Sequence, residues 1–221
     1  MSKIRIFEAF AGIGTQSMAL ERIKQEMPDF DYEIIGISEI DKYAIAAYNS
    51  IHVGVKNYGD IALIDWDDVP DFDLLTYSFP CTNISMAGRR EGLEEGSGTS
   101  SSLLWECRRA IETKRPKYLL LENVPALVNS KNIAHFNRWI EELVSYGYTN
   151  YWQCLNSKDY GVPQSRNRLF VVSILDGGEY SFPGRIELTK CMNDMLDGLH
   201  DERGEQQIAG EKRCPTCTVE K

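Results

Sequence analysis

Short apolar runs recur along this chain with helical-period stretches between them. Ile4 to Phe7, Ile34 to Ile37, Leu74 to Tyr77, Tyr118 to Leu121 and Leu169 to Leu175 are strand-sized and rich in β-branched or large apolar residues. This alternation predicts an α/β fold, a mostly parallel sheet with helices on both faces joined by right-handed crossovers. Such sheets bind ligands beyond the carboxyl ends of their strands. Thr15 is placed to cap a helix reaching Lys24, and Asp41 to cap one reaching Asn49. After Ser102, Leu103, Leu104, Cys107 and Ile111 share a helical face that Pro116 ends, and Ile133, Phe136, Ile140, Leu143 and Val144 form a stripe that Gly147 ends.

The residues that follow the strands are the chemically suggestive ones. Phe10-Ala11-Gly12-Ile13-Gly14 allows a tight turn and a close approach of ligand to backbone. Glu39 ends the second strand, where doubly wound folds hold ribose hydroxyls, and Asp60 follows a further strand, where it can accept a bond from an adenine amine. Each acid serves equally well as a helix cap. Phe79-Pro80-Cys81 opens a long stretch, to Ser102, with Gly88, Gly92, Gly96 and Gly98, which reads as an active-site lid. At such a position a thiol can be exposed and stabilised as a thiolate, although a lone cysteine is more often a small buried apolar group.

Glu122 follows three leucines expected to be buried. A carboxyl beside such a core tends to hold its proton and can donate it. Gln164, Arg166 and Arg168 alternate along a segment expected to be extended, which puts their side chains on one side, ready for a carbonyl or phosphates. Cys214 and Cys217 have the spacing of zinc ligands, but a structural zinc needs four and no second pair exists, so no metal is assigned.

Charge both opposes and permits a polyanionic partner. The net charge of −9 argues against one, but the acids are concentrated early. Residues 1–80 carry 14 acids and 6 bases, whereas residues 81–170 carry 12 bases and 9 acids. No apolar run approaches the roughly 20 residues of a membrane helix, and Met1 to Glu8 lacks a secretory pattern, so a cytoplasmic protein with reduced cysteines is expected.

In order, the blocks Phe10 to Gly14, Glu39, Gly59-Asp60-Ile61, Phe79-Pro80-Cys81, Glu122-Asn123-Val124 and Gln164 to Arg168 resemble the C5-cytosine DNA methyltransferase family over about residues 4–175. The resemblance implies a Rossmann-like S-adenosylmethionine-dependent methyltransferase fold acting on a cytosine flipped out of duplex DNA. It implies Cys81 as the nucleophile at C6, Glu122 on N3 and the exocyclic amine, Arg168 on the O2 carbonyl, and Arg166 supporting the lid or a phosphate. On the cofactor side it implies Phe10, Gly12, Gly14, Glu39, Asp60, Ile61, Phe79 and Pro80.

Thr82 stands where many members carry glutamine, and the family's closing Arg-Gln and Gly-Asn-Ser blocks are not found. The expected organisation is therefore an S-adenosylmethionine-binding catalytic domain over residues 1–185, with residues 186–221 either the stump of a target-recognition region that is otherwise missing or a tail. Weak activity without a complementing chain is expected. The resemblance also extends to the branch that methylates transfer RNA, and an idle cofactor-binding remnant is the non-enzymatic alternative.

Overall fold

The computed structural model describes residues 3–80 and 100–191. Six strands form one sheet: β1 (Ile4–Ala9), β2 (Tyr32–Ser38), β3 (Leu74–Tyr77), β4 (Tyr118–Asn123), β5 (Tyr148–Asn156) and β6 (Asn167–Leu175). Their order is β2-β1-β3-β4-β6-β5. The first four are mutually parallel and β6 runs antiparallel to β4, pairing Asn123 with Leu169 and Glu122 with Phe170.

Helices α1 (Thr15–Glu26), α2 (Lys42–Ile51), α3 (Glu106–Lys114) and α4 (Ile133–Ser145) occupy the intervals. Strand alternation divides β1 between two environments. Phe7 and Ala9 join the main core with Leu75, Tyr77, Leu119 and Leu121, beneath Cys107 and Ile111 of α3 and Phe136, Trp139 and Leu143 of α4. Glu8, on the other side, is buried against Ser17 of α1 and Tyr48 of α2. Among the described residues no helix is long and apolar enough to cross a membrane.

The chain divides into two compact units. The first comprises residues 1–155 and 168–182 and contains the sheet core; the second comprises residues 156–167 and 183–221. Within the second, Ser157 N–H donates to the Arg166 carbonyl at 3.0 Å, and Arg185 Nε lies 3.7 Å from Asp159 Oδ2.

Several local expectations are corrected. Thr15 does not cap α1: Gly14, in the left-handed region, is the cap residue, and no side chain bonds there. Asp41 does cap α2, accepting from Tyr43 and Ala44 N–H at 2.9 and 2.8 Å. No strand lies between α2 and Asp60; residue 57 makes an isolated bridge to Ile37, through Ile37 N–H on the Lys56 carbonyl at 2.9 Å and Tyr58 N–H on the Ile37 carbonyl at 2.8 Å. The segment from residue 100 to Trp105 is a 3-10 turn, and α3 begins only at Glu106. On α4 the buried positions are Phe136, Trp139 and Leu143, while Val144 is exposed, since 3.6-residue spacing turns it off the stripe.

Leu120 is only partly buried, unlike Leu119 and Leu121, because it points to the opposite face of β4. Gln164 and Arg166 are not on an extended segment: Gln164 N–H bonds the Val162 carbonyl at 2.7 Å and Arg166 N–H the Gln164 carbonyl at 3.0 Å, which bends the backbone. The long glycine-bearing segment, apart from its bordering ends, and the Cys214/Cys217 pair lie outside the described residues.

Candidate active site

The carboxyl ends of the parallel strands carry most of the residues singled out by the sequence. After β1 the backbone turns sharply, with Phe10, Gly12 and Gly14 at φ of 57°, 57° and 81°. The turn is closed by Gly14 N–H on the Ala11 carbonyl at 2.9 Å and tied to β2 by Ala11 N–H on the Ser38 carbonyl at 3.2 Å. The two glycines serve different purposes. A Cβ on Gly12 would meet nothing within 4 Å, whereas one on Gly14 would lie 2.4 Å from His52 Nε2 and 2.7 Å from Tyr48 Cε2. Gly12 thus faces open space, and Gly14 is enclosed by α2.

Glu39 organises the neighbouring backbone. Its Oε2 accepts Gly12 N–H at 2.8 Å, and its Oε1 accepts Ile40 and Asp41 N–H at 2.8 Å each. One carboxylate therefore joins the glycine turn of β1 to the end of β2. Asn57 locks it from below, accepting Glu39 N–H at 3.1 Å and donating to the Glu39 carbonyl at 2.9 Å. Asp60 caps the 3-10 turn Ile61–Leu63, accepting Ala62 N–H at 3.0 Å. Ile61 and Phe79 are buried in the main core at 2 % exposure, and Pro80 is half-buried.

This region has the properties of an anion- and nucleoside-binding face. The first amides of α1 have no side-chain cap, Gly12 in the preceding turn faces open space, and carboxylates stand at the ends of adjacent elements. These features fit S-adenosylmethionine, whose ribose hydroxyls and adenine amine need acceptors.

Further along the sheet, the antiparallel direction of β6 returns its beginning to the end of β4. Arg168 Nε lies 2.9 Å from Glu122 Oε1, and both side chains are about one quarter exposed. Sequence reasoning selected these two residues separately, and the fold brings them together. Glu122 is ion-paired with a guanidinium instead of standing alone against the leucine core. Arg166 is exposed and belongs to the second unit. Cys81 lies outside the described residues.

Two further contacts escaped the sequence reading. Asn123 Nδ2, buried, donates to the Phe79 carbonyl at 3.1 Å, and its Oδ1 accepts Val124 N–H at 2.8 Å. It thereby fixes the backbone immediately before Pro80. Gln16 Nε2 of α1 donates to Ser78 Oγ at 3.0 Å, one residue earlier. Asn123 sits in the Glu-Asn-Val block, so its position was visible, but an amide bridging two strand ends leaves no periodic signal.

Residues 4–209 match the family described as C-5 cytosine-specific DNA methylase. The chain belongs to the C-5 cytosine-specific DNA methylase family. The match extends past the motif blocks to residues beyond Cys191. Among curated proteins, it is 40 % identical over 248 residues to the type II methyltransferase M2.ScrFI of Lactococcus lactis subsp. cremoris, covering 88 % of this chain and 68 % of that protein. It is 34 % identical over 235 residues to the orphan methyltransferase M.SssI of Spiroplasma monobiae, covering 79 % of this chain and 60 % of that one.

Solved structures agree on the methyltransferase fold. The Entamoeba histolytica methyltransferase EhMeth matches with a TM-score of 0.71 at 19 % identity, over 89 % of this chain and 61 % of that one. The S. pombe Dnmt2 methyltransferase matches with a TM-score of 0.61 at 24 % identity, over 80 % and 51 %. The chain spans between about half and two thirds of the length of these proteins.

Proposed function

We propose that this chain transfers a methyl group from S-adenosylmethionine to C5 of a cytosine held out of duplex DNA, through a covalent adduct of Cys81 with C6. The observation that carries this reading is the Glu122–Arg168 pair at the carboxyl end of β4, beside the Asn123 bond that holds the Phe79 carbonyl just before Pro80. One edge of cytosine presents an acceptor (O2), a ring nitrogen (N3) and a donor amine in sequence. A guanidinium next to a carboxyl group presents the complementary series.

Cytosine C5 is too weak a nucleophile to take a methyl group unaided. The Cys81 thiolate adds to C6, and the pyrimidine π electrons move toward C5 as the C–S bond forms. Glu122 holds N3 and the exocyclic amine and neutralises the charge that develops there, while Arg168 holds O2. The bound cofactor supplies an electrophilic methyl group. After transfer, the C5 proton leaves to a base, the electron pair re-forms the C5–C6 double bond, and the thiolate departs. Phe10, Gly12 and Gly14 would line the cofactor, Glu39 would take the ribose hydroxyls and Asp60 the adenine amine, with Ile61, Phe79 and Pro80 the further residues on the cofactor side. Arg166 would meet a phosphate or the lid. The relatives give no support to a second, complementing chain.

The test is a labelled-methyl assay on duplex DNA and on transfer RNA, together with trapping on DNA containing 5-fluorocytosine, in which the proton to be removed is replaced by fluorine. Label in DNA and a stable protein–DNA adduct with the wild type, both absent in Cys81→Ser, support the reading. Label only in transfer RNA moves the substrate, and label on DNA with Cys81→Ser unimpaired removes the covalent mechanism.

A further inference from the structure

The turn Ile61–Leu63 is short and has little bonding of its own, with one backbone bond, Leu63 N–H to the Asp60 carbonyl at 2.9 Å, closing it. Its amino end is held by the Asp60 carboxylate through Ala62 N–H. Its other end is held from a distant element. Arg109, on α3, donates from Nη1 to the Ala62 carbonyl and from Nη2 to the Ile64 carbonyl, both at 2.9 Å.

A guanidinium is planar and presents two parallel donors, so it can grip two carbonyl oxygens in one fixed geometry; an ammonium cannot. Ile61 and Ile64 are buried, while Leu63 between them is 83 % exposed. The turn is thus pinned by two apolar side chains and one cation, and without that cation two carbonyls revert to water. Glu106, one turn earlier on α3, lies 3.7 Å from Nη1 and helps aim the group.

We infer that Arg109 is a positioning residue for the cofactor: it fixes the turn that carries Asp60, and so sets where that carboxylate stands against the adenine. The inference rests on the proposed methyltransferase reading and adds to it a residue outside all the motif blocks. α3 leads into β4 in the chain, so the same side chain also ties the helix before the Glu122 strand to the adenine side.

The test uses the full chain with Arg109→Gln and Arg109→Lys. S-adenosylmethionine binding is measured by calorimetry, kcat and KM by methyl transfer, and amide hydrogen exchange across residues 60–64. Arg109→Gln is expected to weaken cofactor binding about tenfold, the scale of one hydrogen bond to a charged group. The KM for cofactor should rise in parallel, kcat at saturating cofactor should stay within about twofold, and exchange at the Leu63 amide should quicken. Arg109→Lys should fall between.

Arg109→Ala with added guanidinium at low millimolar concentration should recover affinity, which a general loss of folding would not allow. Unchanged exchange at Leu63, quicker exchange with unchanged affinity, or a loss confined to kcat would each overturn the inference. A wild type that binds no cofactor would overturn the functional reading itself, and is recognised because it precedes any comparison with the variants.

Discussion

At the scale of single residues, the two glycines of the first turn make separable predictions. Gly14→Ala places a methyl group against His52 and Tyr48 at a positive φ. The left-handed strain and the overpacking together should cost about 2–4 kcal/mol of stability. Gly12→Ala meets open space, so only the strain remains, about 1–2 kcal/mol. Its main effect should be a raised cofactor KM, because the methyl group enters the face where the ligand is proposed to lie. Urea midpoints and cofactor titrations distinguish the two; equal stability losses would contradict the packing argument.

Glu8 gives a pH prediction. Burial pushes its carboxyl above the ordinary value of 4.5, against hydrogen bonds from Ser17 and Tyr48 and the field of His52. A proton held more tightly in the folded state stabilises fully below the unfolded pKa, and that contribution is lost as pH rises through the raised folded value. Glu8→Gln stays neutral and keeps an acceptor for Ser17 and Tyr48. Melting temperature against pH should therefore fall less steeply above pH 4.5 in the variant than in the wild type. Parallel curves would show that Glu8 does not titrate in this way.

Among elements, the junction of β3 and β4 rests on the buried Asn123, which holds the backbone before Pro80. Asn123→Ala removes the bond to the Phe79 carbonyl and leaves a buried acceptor unpaired, a cost of about 1–3 kcal/mol. The expected result is a drop in kcat of about tenfold to a hundredfold with cofactor affinity kept, since misplacing a reacting group is felt in the chemical step. Glu122→Gln should reduce kcat by at least about a hundredfold.

The same elements show what the sequence made legible. Strands β1 to β4 and β6 were visible because strands in the buried middle of a sheet read as near-continuous apolar runs. β5 was not: it forms the sheet edge, and Trp152, Gln153 and Cys154 along it are exposed, so no apolar run or clean alternation marks it. Trp139 was overlooked as a core residue although it is fully buried, with its Nε1 donating to Tyr77 Oη at 3.2 Å. The acids were found as strand-end residues, but what each holds was hidden. Asp60 and Glu39 bind backbone amides and Glu122 binds Arg168, and such choices depend on strand order, which no local pattern encodes.

For the molecule as a whole, charge is distributed unevenly along the chain, with residues 81–170 carrying three more bases than acids. If those three meet phosphates, a plot of log binding constant for DNA against log salt should have a slope of about −3. A flat plot would assign the middle of the chain no part in holding a polyanion.

The direction of β6 has a consequence of its own. Because Glu122 and Arg168 stand on adjacent hydrogen-bonded strands, their meeting measures register. A slide of two places would carry the guanidinium about 7 Å past the carboxylate while leaving every side chain on its original face. Such a slip would also displace the buried Leu169 and Val171, so a two-residue insertion within β6 should cost both the fold and the pairing.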